Sequence, residues 1–303
     1  MHKAYLSLND YLRRKFGEKV YKISLSINGL TCPNRDGTCG TGGCIFCLGG
    51  SGDFAENIDL YENKEYAIKA VCAAIEKGKL QCRSKAPNCR RFIAYFQSFT
   101  NTYAPAKLLR NVFYAAICHP DIVCLSVATR PDCLPGEIVN MLSELNKIKP
   151  VWVELGLQTA NDNTALLINR GYESSVYKEA AARLRYEKIE FITHMIIGLP
   201  GEDFSDYTDT LKYALSAGTR GVKFQVLNIL TGTKLEEMYA NGFLKAFDQD
   251  EYVDTVVKLV SMLPSDVVVH RLTGDGNRAH LIAPRWALDK RKTLNMIAKR
   301  ISR

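Results

Sequence analysis

Residues 21–47 read YKISLSINGLTCPNRDGTCGTGGCIFC. Tyr21–Ile27 is a short β-rich run, and a cysteine loop comes after it. Cys32 and Cys39 precede Cys44 and Cys47, which form a C-x2-C pair. Such a pair suits metal binding because two thiolates meet one centre from a tight turn. Gly37, Gly40, Gly42 and Gly43 permit the positive φ angles that a wrapping loop needs. Thiolates select zinc or iron–sulfur centres. Four ligands close a structural site, as with zinc, whereas three leave a position open for chemistry. Chance clustering in a loop is the bland alternative. A phosphate cradle is disfavoured, because the glycines run into C-x2-C instead of opening a helix.

The same alternation continues outward from this stretch. Further strand candidates are Phe92–Phe96, Ile122–Ala128, Val151–Leu157, Phe191–Ile197 and Gly221–Leu227, with Val267–His270 as a late seventh. Helical spacing fills Lys64–Lys79, Ala106–Cys118, Pro135–Asn146, Ser174–Tyr186 and Phe204–Ala217. Strands alternating with helices imply βαβ units and a parallel sheet. The strands are near-continuous apolar runs, as burial on both faces requires. Polar and Gly-rich strings follow the strand ends, where α/β barrels build their sites. A barrel-like arrangement is expected; a doubly wound open sheet obeys the same strand-end rule.

Length and composition fit this reading. The 303 residues would make two domains at about 150 each, but one α/β barrel absorbs them all. Hydrophobic residues at 47% and charged residues at 24% exclude a disordered chain. No apolar run approaches the ~18 residues of a membrane span. The start lacks the apolar core of a signal peptide, so a cytoplasmic protein is expected. Ten cysteines in a reducing compartment point to metal binding or catalysis, not disulfides. Cys72, Cys82, Cys89, Cys118, Cys124 and Cys133 are scattered and read as small core or surface residues; Cys82 with Cys89 is a weaker second thiolate site. The net charge of +8 suits a polyanionic partner. Its cations gather at the two ends, in Lys3, Arg13, Arg14, Lys15, Lys19 and Lys22 and across the helically spaced segment Ala283–Arg303.

A cysteine-rich loop after the first strand of a βα barrel resembles the radical SAM superfamily. The usual superfamily spacing is C-x3-C-x2-C, whereas Cys32 and Cys44 here are C-x11-C. That spacing and the string CPNRDG…GGCxFC resemble the YtqA/YhcC-like subfamily, relatives of the elongator-complex radical SAM subunit. Gly50-Ser51-Gly52-Asp53-Phe54-Ala55 looks more like the YtqA branch, also called MnmL-like. The likeness continues through Tyr95-Phe96-Gln97, Thr129-Arg130-Pro131-Asp132, Glu154-Leu155-Gly156-Leu157-Gln158, Gly198-Leu199-Pro200-Gly201-Glu202 and Arg271–Gly276.

The resemblance implies an α/β fold, a partial (β/α)6 TIM-type barrel with basic terminal extensions. Residues 1–20 would be the N-terminal extension, 21–235 the core and 236–303 a C-terminal extension with a basic helix. Cys32, Cys44 and Cys47 would hold a [4Fe-4S] cluster, with Cys39 a bystander, and S-adenosylmethionine would chelate the open iron. Gln97 and Ser98 stand where relatives carry a Gly-Gly-Glu string, so their oxygens would take the cofactor's amino group. Asn101 is a further candidate there, with Thr102. Arg130 would counter the cofactor's carboxylate. Glu154, Gly156 and Gln158 share one strand face, and Glu154 and Gln158 would bond ribose hydroxyls or the carboxylate. Gly198 would let the backbone approach adenine. Glu202, with Asp203 and Asp206, reads equally as negative charge in a helix's first turn. His194 reads as a core histidine, and Thr273-Gly274-Asp275-Gly276 as a tight turn.

The implied chemistry is reductive cleavage of S-adenosylmethionine to a 5′-deoxyadenosyl radical, fed by a one-electron donor such as flavodoxin or ferredoxin. The implied substrate is tRNA, whose wobble uridine would pass from a carboxymethylaminomethyl to an aminomethyl group at C5. The alternatives are another substrate, or a non-catalytic RNA-binding protein with structural zinc. A nicotinamide or flavin oxidoreductase lacks any phosphate-binding string here.

Overall fold

The computed structural model describes residues 5–49, 55–274 and 278–302. The strands are β1 (Leu6–Ser7), β2 (Val20–Ile27), β3 (Glu56–Ile58), β4 (Arg91–Phe96), β5 (Ile122–Thr129), β6 (Val151–Gln158), β7 (Glu190–Ile197), β8 (Gly221–Val226), β9 (Ile229–Leu230), β10 (Val268–Arg271) and β11 (Leu281–Ala283). The helices are α1 (Leu8–Phe16), α2 (Lys64–Lys85), α3 (Ala106–Cys118), α4 (Gly136–Asn146), α5 (Asp162–Leu167), α6 (Ser174–Tyr186), α7 (Phe204–Ser216), α8 (Lys234–Ala240), α9 (Gln249–Ser261) and α10 (Lys290–Ile301).

Nine strands form one sheet in the order β1-β10-β8-β7-β6-β5-β4-β2-β3. Every neighbouring pair is parallel. The six central strands lie in chain order, each returning through a helix, which is the (β/α)6 half of the expectation. β3 and β1 end the sheet without pairing to each other, so the barrel stays partial. Outward residues such as Leu25, Phe96, Val127, Leu155 and Phe191 pack against α2, α3, α4 and α6 in the main core.

The two chain ends are not appendages to this sheet. β1 pairs with β10, and β10 with β8, so both ends continue it. α1 then lies across the end where the strands begin. Its Leu12 is buried with Val20, Ile93, Cys124, Trp152 and Ile192, and Tyr11 stands 6.1 Å from the Trp152 ring. The segment from Ala283 is also not one helix. It finishes β11, makes a turn of 3-10 helix at Arg285–Leu288, and becomes α-helical at Lys290. Asp289 fixes that start by accepting a hydrogen bond from the Lys292 amide. Among the described residues no helix is long and apolar enough to cross a membrane. The YtqA-like string Gly50–Phe54, together with Lys3, Asp275, Gly276 and Arg303, lies outside the described residues.

Candidate active site at the cysteine loop and barrel interior

The cysteine loop crosses the C-terminal end of the barrel and is fastened at many points. The Arg35 and Asp36 amides donate to the Cys32 carbonyl, and the Cys47 amide donates to that of Cys44. Ile45, inside the C-x2-C pair, is buried against Ile168, Ile196, Leu199 and Leu235. Its amide donates to the Ile168 carbonyl, and its own carbonyl accepts from Leu235. The Asn169 side chain donates to the carbonyls of Thr41 and Gly43 at 3.2 and 2.8 Å. Arg35 closes the loop from within by donating to the Cys47 carbonyl.

Asn34 is the keystone, and nothing in its local sequence singles it out. It is fully buried and donates to the Asn169 carbonyl at 2.5 Å and to Cys44 Sγ at 3.9 Å. Its Oδ1 is buried with no hydrogen-bond partner. A Cβ at Gly40 would lie 2.2 Å from that oxygen, and one at Gly171 3.0 Å from it. Glycine is therefore required on both sides of the Asn34 amide. In Asn34→Ala, we expect less iron per chain after reconstitution and a lower cluster midpoint potential, because an N–H donor to a ligand sulfur is lost. Iron analysis and a potentiometric titration followed by electron paramagnetic resonance check this.

As placed, the thiols are not gathered around a single zinc ion. Thiolates around one zinc at about 2.3 Å sit about 3.8 Å apart. Among the described residues, no three cysteine sulfurs lie within 4.8 Å of one another. Burial pushes the Cys44 thiol up to about 12. Cys39 is exposed and accepts from Arg130 Nη2 at 3.6 Å.

Arg130, expected to counter the cofactor's carboxylate, is engaged through all three of its guanidinium nitrogens. Its Nε and Nη2 donate to the two Asp132 oxygens at 2.9 and 2.6 Å, and Nη1 donates to the Arg170 carbonyl at 2.9 Å. Its guanidinium lies 4.7 Å from the Tyr172 ring, whose other neighbour is Arg170 at 4.5 Å. Arg130 thus ties the cysteine loop to β5 and to the turn after α5, with its donors already engaged.

Glu154, expected to bond ribose hydroxyls or the cofactor's carboxylate, is engaged with protein groups. It faces the barrel interior, fully buried. Its Oε1 accepts from Lys22 at 2.9 Å and Ser126 at 3.0 Å; its Oε2 meets His194 at 3.0 Å and accepts from Lys223. A carboxylate offers about four lone-pair sites, and all are taken. Lys22 and Lys223 also lie 4.3 and 4.6 Å from the Tyr95 ring. Burial opposes the Glu154 charge, but Lys22 and Lys223 outweigh it and hold the carboxyl well below its usual range. Burial pushes the Lys223 ammonium well down, with Glu154 opposing. His194, expected as a core histidine, belongs to this network. Burial and Lys223 push it down to about 4.

That shift has a testable sign. An unfolded histidine titrates near 6.5, so from there down to about 4 the unfolded chain holds a proton that the folded chain does not. Stability should fall as pH drops through that window. Melting curves of His194→Gln should lose about 1.4 kcal/mol per pH unit of that dependence.

The remaining sequence candidates divide. Gln97 is half-buried and Ser98 buried directly after β4. Asn101 is fully buried, its Nδ2 donating to the Ala128 carbonyl at 2.9 Å while its Oδ1 has no hydrogen-bond partner. An unpartnered buried acceptor at a strand end is the chemistry an amino group needs. Thr102 Oγ1 is taken by Thr129 Oγ1 and the Cys133 carbonyl. Gln158 has φ +62° and accepts from the Tyr172 hydroxyl at 3.1 Å. Gly198 has φ +96°, and a Cβ there would lie 2.8 Å from the Phe247 ring, so its shape already has a packing reason. Asp203 and Asp206 form the capping box of α7, while Glu202 precedes the cap. Burial pushes Glu202 up to about 7, and its Oε1 lacks a hydrogen-bond partner. Gly274 packs against Gln225. Lys22, Lys223 and Tyr172 were not singled out as site residues from sequence.

A partial parallel barrel carrying a cysteine-rich loop at its C-terminal end is the arrangement of radical S-adenosylmethionine enzymes. The Radical SAM superfamily pattern matches residues 37–214, and the Radical_SAM C-terminal domain pattern matches residues 219–303. The uncharacterized protein YtqA of Bacillus subtilis is 41% identical over 302 residues, covering 99% of this chain and 90% of that protein. The tRNA uridine(34) acetyltransferase of Methanocaldococcus infernus is 27% identical over 157 residues, covering 50% of this chain and 29% of that protein. The structure of archaeal Methanocaldococcus infernus Elp3 superposes with a TM-score of 0.63 at 16% identity, covering 94% of this chain and 64% of that one. This chain belongs to the radical SAM superfamily, whose members bind a [4Fe-4S] cluster and S-adenosylmethionine.

Proposed function

We propose that this chain modifies the wobble uridine of tRNA, converting a carboxymethylaminomethyl group at C5 to aminomethyl. The observation that carries the substrate is the likeness of its barrel to a protein named for uridine 34 of tRNA. The interior supports it: two lysines face the single carboxylate of Glu154, a setting suited to a substrate that itself carries a carboxylate.

Residues 21–235 act as the catalytic core. Cys32, Cys44 and Cys47 hold the cluster. Gln97, Ser98 and Asn101 take the amino group of S-adenosylmethionine, and Gln158 and Gly198 line its nucleoside end. When bound, cluster and cofactor together supply a 5′-deoxyadenosyl radical. The chain's own part is to hold, aim and seal. Arg130 and Asn34 keep the cluster loop closed, while Lys22, the partly exposed lysine of the Glu154 network, orients the substrate's carboxylate. A flavodoxin or ferredoxin in the cytoplasm supplies the electron.

Mass spectrometry of wobble nucleosides from a strain lacking the gene tests the substrate. Carboxymethylaminomethyl uridine should accumulate in glutamate, lysine or glutamine tRNA at the expense of aminomethyl derivatives. Normal wobble nucleosides would reject it.

A further inference from the structure

We propose that the N-terminal end of the barrel, remote from the cysteine loop, is a phosphate-contacting platform for RNA. Resting on the proposed tRNA substrate, it assigns the platform to the part of the molecule away from the modified nucleotide. Parallel strands all begin at one end, and the residues leading into them are basic. Lys19 precedes β2, Arg90 precedes β4, Lys147 leads into β6 and Lys188 into β7. α1 lies across the same end through Leu12 and Tyr11, carrying Arg13 and Arg14. All six side chains are exposed, and among the described residues none has an ion-pair partner.

The acids at this end are occupied. Glu18 pairs with Arg91 at 2.8 Å, and Asp266 with Arg220 at 3.0 Å. Asp121 is held by Lys79. Glu190 accepts from Trp152 Nε1 at 2.9 Å, and Glu187 accepts from Ser143 at 2.6 Å. Glu187 and Glu190 bond only neutral donors and keep their charge, so the six cations outnumber the acids left unpaired among them, a net positive face that favours a polyanion.

Distance selects which polyanion. β6 and β7 are eight residues long, about 26 Å at about 3.3 Å per residue. An acidic electron carrier docked here would sit a strand length from the cluster it must reduce. A folded RNA carries phosphates continuously and reaches both ends at once.

The test compares reconstituted holoenzyme with its Arg13→Glu/Arg14→Glu/Arg90→Glu variant. Affinity is measured for a full-length tRNA transcript and for a stem-loop bearing only the wobble region, across a salt series. A matched Lys178→Glu/Lys212→Glu/Lys258→Glu variant on the outer helices controls for net charge. The platform variant should bind full tRNA on the order of tenfold more weakly, with its salt slope reduced by about 2–3. Its stem-loop affinity, iron content and melting temperature should match the wild type, and the control should bind full tRNA normally. If glutamate at these sites disturbs folding, the Arg13→Gln/Arg14→Gln/Arg90→Gln variant should show the same selective loss at smaller size. Unchanged tRNA affinity in a folded variant overturns the platform alone. So does a loss confined to reduction by flavodoxin, which would mark a carrier dock. A wild-type protein that binds neither RNA overturns the platform together with the tRNA substrate.

Discussion

Cys44→Ala protein, reconstituted with iron and sulfide, is expected to hold no [4Fe-4S] cluster and to cleave no S-adenosylmethionine, whereas Cys39→Ala retains both. The two thiols share one loop but not one environment. Cys44 is half-buried, receives an N–H from Asn34, and is raised to about 12 by burial. Cys39 is exposed and touches Arg130 at 3.6 Å. Removing a partner of a metal ligand costs roughly 10–100-fold in affinity or activity, so removing a ligand should exceed that. Cys32→Ala and Cys47→Ala should behave like Cys44→Ala. Iron content and cleavage to methionine and 5′-deoxyadenosine are the measurements. A Cys39→Ala protein that loses its cluster while Cys32→Ala keeps one would move the ligand set.

The contrast between these cysteines was legible because spacing separates C-x2-C from scattered thiols. The core strands were legible for a similar reason. Burial on both faces makes each an unbroken apolar run, and every expected central strand recurs with its bounds shifted by a residue or so. The short strands carried no such signal. Two residues at Leu6–Ser7 have no periodicity, and only pairing with β10 makes them a strand. That pairing also changes how the basic ends read: α1 and its arginines are drawn beneath the barrel instead of extending from it.

Within the site, Glu154 stood out because a carboxylate inside a parallel strand is expensive unless paired. Its partners did not stand out, because a lysine in a strand reads as a solvent-facing residue. Lys22 and Lys223 lie 132 and 69 residues from Glu154 and meet it only when β2, β6 and β8 curve around one interior. Asn34 was hidden in the same way, since its importance lies in contacts with Asn169 and in the room left by Gly40 and Gly171.

Glu154→Gln should destabilise the protein by about 3–5 kcal/mol, the usual result of removing one partner from a buried charge network. The substitution keeps the shape and removes the charge, so Lys22 and Lys223 lose their common counter-ion. Lys223, which is 4% exposed at its side chain, has no water to turn to. Exchanging both charges for apolar groups in Glu154→Leu/Lys223→Met should recover much of the loss, and a double-mutant cycle measures the coupling. The pH dependence follows from the lowered carboxyl. Wild-type stability from this network is fully present above the unfolded carboxylate range near 4.5 and is lost as pH falls toward the lower folded value; Glu154→Gln lacks that component. The same variant separates two roles. A ribose ligand would raise the KM for S-adenosylmethionine with little change in melting temperature. A network centre lowers the melting temperature first, because its four acceptor sites are already filled from β2, β5, β7 and β8.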